Sequence, residues 1–252
     1  MSVAVISGGA GGLGRALGAA LQARGWQVVA LDRDIAGLEP GAALWPVTCD
    51  LTDRVQIARA CAAVLAEHPR IDLVIHAAGL THIGPFEHLT DAALRRLFEV
   101  NFFAAVDLTR HLQGAVRTAR GTHLAISSVA GFAPLHHRTA YAASKHALEG
   151  FFGSLRSEEA AQEVRVAIAA PSFVATNTGN AGRTGDGLTR PGSAGDGVDP
   201  MTPEAAATAI LRGLDRGAER IAVGRVARAS WLVNRASPAL YQRLMRRSIK
   251  GG

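Results

Sequence analysis

The stretch Val3-Ala4-Val5-Ile6-Ser7-Gly8-Gly9-Ala10-Gly11-Gly12-Leu13-Gly14 decides the fold. A short apolar run that ends in a glycine turn suits a strand buried on both faces. The glycines let the chain turn tightly and approach a pyrophosphate. The helix predicted over residues 13–24 offers unpaired N–H groups and a favourable dipole at its start. Two spacings fit: Gly9, Gly11 and Gly14 satisfy G-x-G-x-x-G, while Gly8, Gly12 and Gly14 satisfy G-x-x-x-G-x-G. A Walker phosphate loop is disfavoured, because Arg15-Ala16 stands where Lys-Ser/Thr is required.

Outward from this turn, short apolar runs alternate with helical patterns. Strands are predicted at 3–6, 28–31, 44–48, 73–75, 123–126, 165–169 and 221–223. Helices are predicted at 13–24, 55–67, 91–119, 141–160 and 202–216, the last with Pro203 at its first position. Repeated βα units imply an α/β fold: a Rossmann-type, doubly wound parallel sheet with ligands at the carboxyl ends of its strands. The 252 residues suffice for one domain with a sizeable core, and a content of 48% hydrophobic and 19% charged residues suits strands covered on both faces. We expect residues 1–224 to form the dinucleotide-binding and catalytic domain and 225–252 a basic helical extension of it. Residues 177–200, rich in Gly, Thr, Asp and Arg, interrupt the rhythm and read as a mobile substrate loop.

No membrane-spanning run and no signal peptide are expected. Two cysteines, Cys49 and Cys61, make no disulfide framework and point to a reduced, cytoplasmic setting. The nine histidines form no metal-ligand spacing, so no metal is expected. The net charge of +6 sits in the last segment. Residues 225–252 carry seven basic side chains and no acid, which leaves −1 for the rest (+6 less +7). That distribution argues against a nucleic-acid-binding fold.

Asp32 closes the second predicted strand. A carboxylate there accepts hydrogen bonds from the ribose hydroxyls and repels a 2′-phosphate, so NAD is expected ahead of NADP. Arg33 is the complication, since a guanidinium can bind that phosphate. Asp50-Leu51 follow the third strand, where they either border the adenine pocket or merely cap the next helix.

Tyr141 and Lys145 are spaced i, i+4 and share a helix face. A free phenol has a pKa of about 10, and a neighbouring ammonium is expected to lower it towards use as a base. With Ser128 upstream, and with Gly8-x-x-x-Gly12-x-Gly14, Asp50-Leu51, Ala77-Ala78-Gly79, Asn101 and Pro171 through Thr176 in that order, the chain resembles the short-chain dehydrogenase/reductase family over nearly all its length. The resemblance implies catalysis by Asn101, Ser128, Tyr141 and Lys145. Tyr141 would be the acid or base, Ser128 the hydrogen-bond partner of the substrate oxygen, Lys145 the group that tunes the tyrosine and holds the ribose, and Asn101 a support for a water-linked proton path. It implies a cofactor site of Gly8, Gly12, Leu13, Gly14, Asp32, Arg33, Asp50, Leu51, Ala78, Gly79, Tyr141, Lys145, Val174 and Thr176. Two positions depart from the family pattern: His76 stands where asparagine is usual, and Ser172 where glycine is usual.

The substrate is expected to be a small-molecule alcohol or carbonyl compound, largely apolar, met by His82, Phe132 and His136 on the loops at 80–86 and 130–138. The basic tail mixes arginines with aromatic and aliphatic side chains. Packing on its own subunit or on another is favoured over peripheral membrane contact. The family likeness also implies a homodimer or homotetramer. Two rival functions share these residues: a catalytically idle dinucleotide-binding regulator, and a redox-neutral lyase or epimerase.

Overall fold

The structure, a computed structural model, describes residues 1–177, 187–189, 192 and 199–249. Strand β1 (Val3–Ser7) is buried along its whole length and runs into helix α1 (Gly12–Gln22). β2 (Gln27–Asp32) and β3 (Leu44–Thr48) follow, then α2 (Arg54–Glu67), whose Asp53 N-cap side chain accepts from the N–H groups of Val55 and Gln56. β4 (Leu73–His76) leads to a two-residue strand, β5 (Thr81–His82), and α3 (Asp91–Phe98). α4 (Ala104–Ala119) and β6 (Thr122–Ile126) come next, then α5 (Thr139–Glu159) and β7 (Arg165–Pro171). The chain continues through β8 (Leu188–Thr189), α6 (Pro203–Asp215), β9 (Arg220–Val223), α7 (Arg225–Ala236) and α8 (Pro238–Ile249).

Seven strands form one parallel sheet in the order β3-β2-β1-β4-β6-β7-β9. One face is covered by α1 and α6 through Leu17, Leu21, Ile210 and Leu211. The other is covered by α2 and α4 through Ile57, Val64, Leu108 and Leu112, with Phe152 of α5 further along. The winding direction reverses between β1 and β4, the one neighbouring pair whose crossover connections leave in opposite directions. A crevice therefore opens at their carboxyl ends. The single doubly wound domain agrees with the sequence reading.

Three local features differ from expectation. The helical stretch at 91–119 is broken by a π-turn over Glu99–Phe103, which places Asn101 inward. The tail forms two helices, because Pro238 restarts the chain after Ser237. The third lies in the segment 177–200, of which 178–186, 190–191 and 193–198 lie outside the described residues. Leu188 and Thr189 are buried and pair antiparallel with β5.

Candidate active site

The glycine turn resolves its two readings by close approach. Gly8 has φ +70°, and a Cβ there would lie 2.7 Å from the Ala78 Cα. A Cβ on Gly14 would lie 2.1 Å from the Gly8 carbonyl oxygen, and one on Gly12 2.8 Å from the Thr176 Cβ. A Cβ on Gly9 would lie 2.6 Å from the Ala30 Cβ of β2, whereas one on Gly11 would meet nothing nearer than the Gly8 carbonyl oxygen at 3.3 Å. Every glycine of Gly8-x-x-x-Gly12-x-Gly14 is thus confined, as is Gly9, whereas the alternative spacing includes Gly11, the least confined of the five. The Ala10 N–H donates to Asp32 Oδ2 at 3.0 Å, so the carboxylate at the tip of β2 also braces the turn.

A cavity of about 880 Å³ runs along the crevice. Gly8, Gly12, Leu13, Gly14, Asp32, Arg33, Asp50, Leu51, Ala78, Gly79, Val174 and Thr176 line one part of it, and Ser128, Tyr141, Lys145 and His136 another. A turn with no room for side chains, the first-turn N–H groups of α1 and a carboxylate beside them fit a dinucleotide. Sequence reasoning missed Arg15 and Arg96. Arg15 donates to the carbonyls of Ala10, Ala36 and Gly37, which fixes the loop after β2. Arg96 donates to Thr52 Oγ1 at 3.1 Å. Burial pushes the Asp50 carboxyl up, but hydrogen bonds from Thr52 and the charges of Arg96 and Arg33 outweigh it and hold it below its usual range.

Tyr141, buried on α5, hydrogen-bonds Ser128 through its side chain. Ser128 Oγ also accepts from the Ala130 N–H at 3.2 Å, which holds the serine at the end of β6. Lys145 Nζ donates to the Ile126 carbonyl at 2.9 Å and lies 6.0 Å from the centre of the Tyr141 ring. The expected electrostatics are corrected here. Burial is the largest influence on Tyr141 and pushes its phenol above 10, opposed by the Ser128 hydrogen bond and the charge of Arg138 rather than by Lys145. Burial likewise pushes Lys145 down to about 8, against the pull of Glu149. Glu149 accepts from Ser127 Oγ at 2.7 Å and pairs with Arg220 at 2.7 Å, so the first serine of the pair is used in bracing α5 against β6 and β9.

Asn101 stands behind the cavity wall. Its Nδ2 donates to the Leu80 carbonyl and to Ser144 Oγ, both at 2.9 Å, and its Oδ1 accepts from the Leu80 N–H at 2.7 Å. Ser144 in turn donates to the Tyr141 carbonyl at 2.8 Å. Both amide hydrogens are committed, so the Asn101 side chain positions the Leu80 loop and α5. The proposed water-linked path gains no donor from it.

Two residues expected at the substrate do not line the cavity. His82 is buried beside Gly187, while its neighbours Thr81 and Ile83 line the cavity; strand alternation turns the middle side chain away. Phe132 packs edge-on against Trp231 at 5.3 Å and serves as the seat of α7, whose Asn234 donates to its carbonyl. The wall assigned to Phe132 is instead supplied by Val226 and Ser230 of α7 and by Tyr241 and Met245 of α8. Each pair is spaced i, i+4, the signal by which the tail's inward face was findable. His76, the unusual residue at the end of β4, is buried and stacks on His123 of β6, with Nε2 3.3 Å from the His123 Nδ1.

Residues 2–186 match the profile of the family described as short chain dehydrogenase. Dehydrogenase/reductase SDR family member 7B of Mus musculus is 35% identical over 199 residues, 74% of this chain and 62% of that protein, so the chain spans less than two thirds of that relative's length. A short chain dehydrogenase from Burkholderia cenocepacia J2315 in complex with NADP superposes with a TM-score of 0.84 at 28% identity, over 97% of each chain. A 4-hydroxyisoleucine dehydrogenase complexed with NADH superposes with a TM-score of 0.72 at 25% identity, over 87% of this chain and 95% of the other.

Proposed function

The chain belongs to the short-chain dehydrogenase/reductase family, and from that premise we propose that it transfers a hydride between NAD(H) and a largely apolar alcohol or ketone. The observation that carries this reading is convergence. Ser128, Tyr141 and Lys145, from β6 and α5, face the same cavity as the glycine turn and Asp32. Bound in that cavity, a nicotinamide dinucleotide supplies or accepts the hydride. Asp32 favours free ribose hydroxyls over a 2′-phosphate, and Arg15 is engaged by three backbone carbonyls; Arg33, which lines the same cavity, is the neighbouring guanidinium that opposes this preference. Of the two structural neighbours named above, one is a complex with NADP and the other with NADH.

The residues divide the work as follows. Ser128 and Tyr141 hydrogen-bond a substrate oxygen placed between them. Burial keeps the Tyr141 phenol protonated at neutral pH, so it stands ready as the acid of carbonyl reduction. In alcohol oxidation the phenol must first lose its proton, and the buried Lys145 ammonium stabilises the phenolate as it forms. Asn101 and Ser144 hold α5 so that Tyr141 meets the cavity at the right depth. Val226, Leu135, Tyr241 and Met245 give the far end an apolar wall, and Ser230, His136 and Arg138 add polar groups. Such a wall accepts an apolar body with one polar or anionic end. The homo-oligomer that the family likeness implies would use α5, where Gly150, Phe151 and Leu155 form an apolar cleft with Phe102 of the π-turn.

The test is a panel of alcohols and ketones with NAD⁺ or NADH, read at about 340 nm, the band of the reduced nicotinamide. Turnover is expected for apolar members. Tyr141→Phe should lower kcat by about 10²–10⁴-fold with cofactor binding intact. Product formation without net absorbance change favours the lyase or epimerase reading. Tight dinucleotide binding with no product from any member favours the idle regulator.

A further inference from the structure

The two tail helices have a second face that the site leaves unused. Their inner faces are spent on the body: Ala227 and Tyr241 are buried, and Trp231 sits on Phe132. The outer faces carry Leu232, 66% exposed, Leu240, 45%, and Leu244, 47%. These are three of the seven exposed large hydrophobic side chains among the described residues. Arginines flank them at helical spacing. Arg225, Arg228, Leu232 and Arg235 share one face of α7, and Leu240, Arg243 and Leu244 one face of α8. No acidic residue follows Glu219 in the chain, and among the described residues Arg225, Arg228 and Arg243 join no ion pair.

We propose that this outer face of α7 and α8 docks on an anionic phospholipid surface. Leucines interleaved with unpaired guanidiniums match the boundary between acyl chains and headgroups. A second copy is the poorer occupant, because it would bring a face of the same charge. A nucleic acid is poorer still, because it offers the leucines nothing. The same helices wall the cavity through Val226, Ser230, Tyr241 and Met245, so docking brings the substrate end of the cavity next to the bilayer. Entry of a lipophilic substrate by that route rests on the dehydrogenase reading, whereas the docking itself does not.

The experiment is co-sedimentation of the full chain with vesicles of phosphatidylcholine alone and of phosphatidylcholine mixed with phosphatidylglycerol at low and high salt. Binding is expected to the anionic vesicles and to weaken in high salt. Both Leu240→Ser with Leu244→Ser and Arg228→Glu with Arg243→Glu should reduce partitioning at least about tenfold. Thermal melts should show both pairs folded, since all four side chains are exposed. Failure of the intact chain to pellet with anionic vesicles at low salt overturns the proposal, as does undiminished binding by both double variants. A concentration-dependent doubling of mass in light scattering, abolished by the leucine substitutions, would assign the face to a second copy and overturn it equally. The readout is pelleting, so an inactive enzyme that still binds vesicles refutes only the dehydrogenase reading.

Discussion

The buried pair His76–His123 makes the stability of the sheet depend on mild acid. Both rings are held neutral. Burial pushes His123 down to about 4, with partial opposition from Glu159, and burial together with the neighbouring His123 pushes His76 well below 6.5. His76 Nε2 lies between His123 Nδ1 and Thr109 Oγ1, while His76 Nδ1 and His123 Nε2 have no partner among the described residues. A proton on either ring is therefore unsolvated. The unfolded chain takes up these protons near pH 6.5 and the folded chain does not, so stability present above that value is lost as pH falls towards 4. Between pH 7 and pH 5 the loss is about 2 kcal/mol for each histidine, or about 4 kcal/mol for the pair. Lys145 stays protonated throughout this window. Glu159, held below its usual range by Arg117, stays charged in it, so neither contributes to the slope. The assay is urea unfolding at pH 7 and pH 5 for the native chain and for the double substitution His76→Leu with His123→Leu, which removes both polar partners together. The native chain should lose about 4 kcal/mol more than the variant on acidification. Equal losses in the two proteins would refute the claim that this pair is buried and neutral.

Three further outcomes follow from the geometry. Gly14→Ala sets a methyl 2.1 Å from the Gly8 carbonyl and should weaken dinucleotide binding at least about tenfold, measured by fluorescence titration, with about 1–3 kcal/mol of lost stability. Asp32→Asn should raise the NADP/NAD ratio of kcat/KM at least about tenfold, about 1.4 kcal/mol, by removing a charge that repels the 2′-phosphate; an unchanged ratio would take Asp32 out of cofactor choice. Asn101→Ala leaves the part-buried Leu80 N–H without its acceptor and removes the donor to the Leu80 carbonyl and Ser144 Oγ, so denaturant unfolding should show about 2–4 kcal/mol of destabilisation. It should also lower kcat more than it raises the cofactor KM, the mark of a misplaced Tyr141.

The sequence by itself determined the strand and helix order, the glycine turn, Asp32 at a strand end and Tyr141 with Lys145 on one helical face. Each of these rests on local chemistry: periodicity, backbone freedom and spacing along a single element. The tertiary structure decided what depends on residues far apart in the chain. The close approaches at Gly8, to Ala78, and at Gly12, to Thr176, against the looser fit at Gly11 separated the two glycine patterns. The pairing of β5 with β8 accompanied the inward turn of His82, and the docking of α7 converted Phe132 from an expected pocket wall into a support. The far wall of the cavity came from Tyr241 and Met245, far along the chain beyond the catalytic helix. The electrostatics of the site were likewise tertiary. Spacing alone brings an ammonium near a phenol, but burial by surrounding elements acts on both and raises the phenol pKa where the pair alone would lower it.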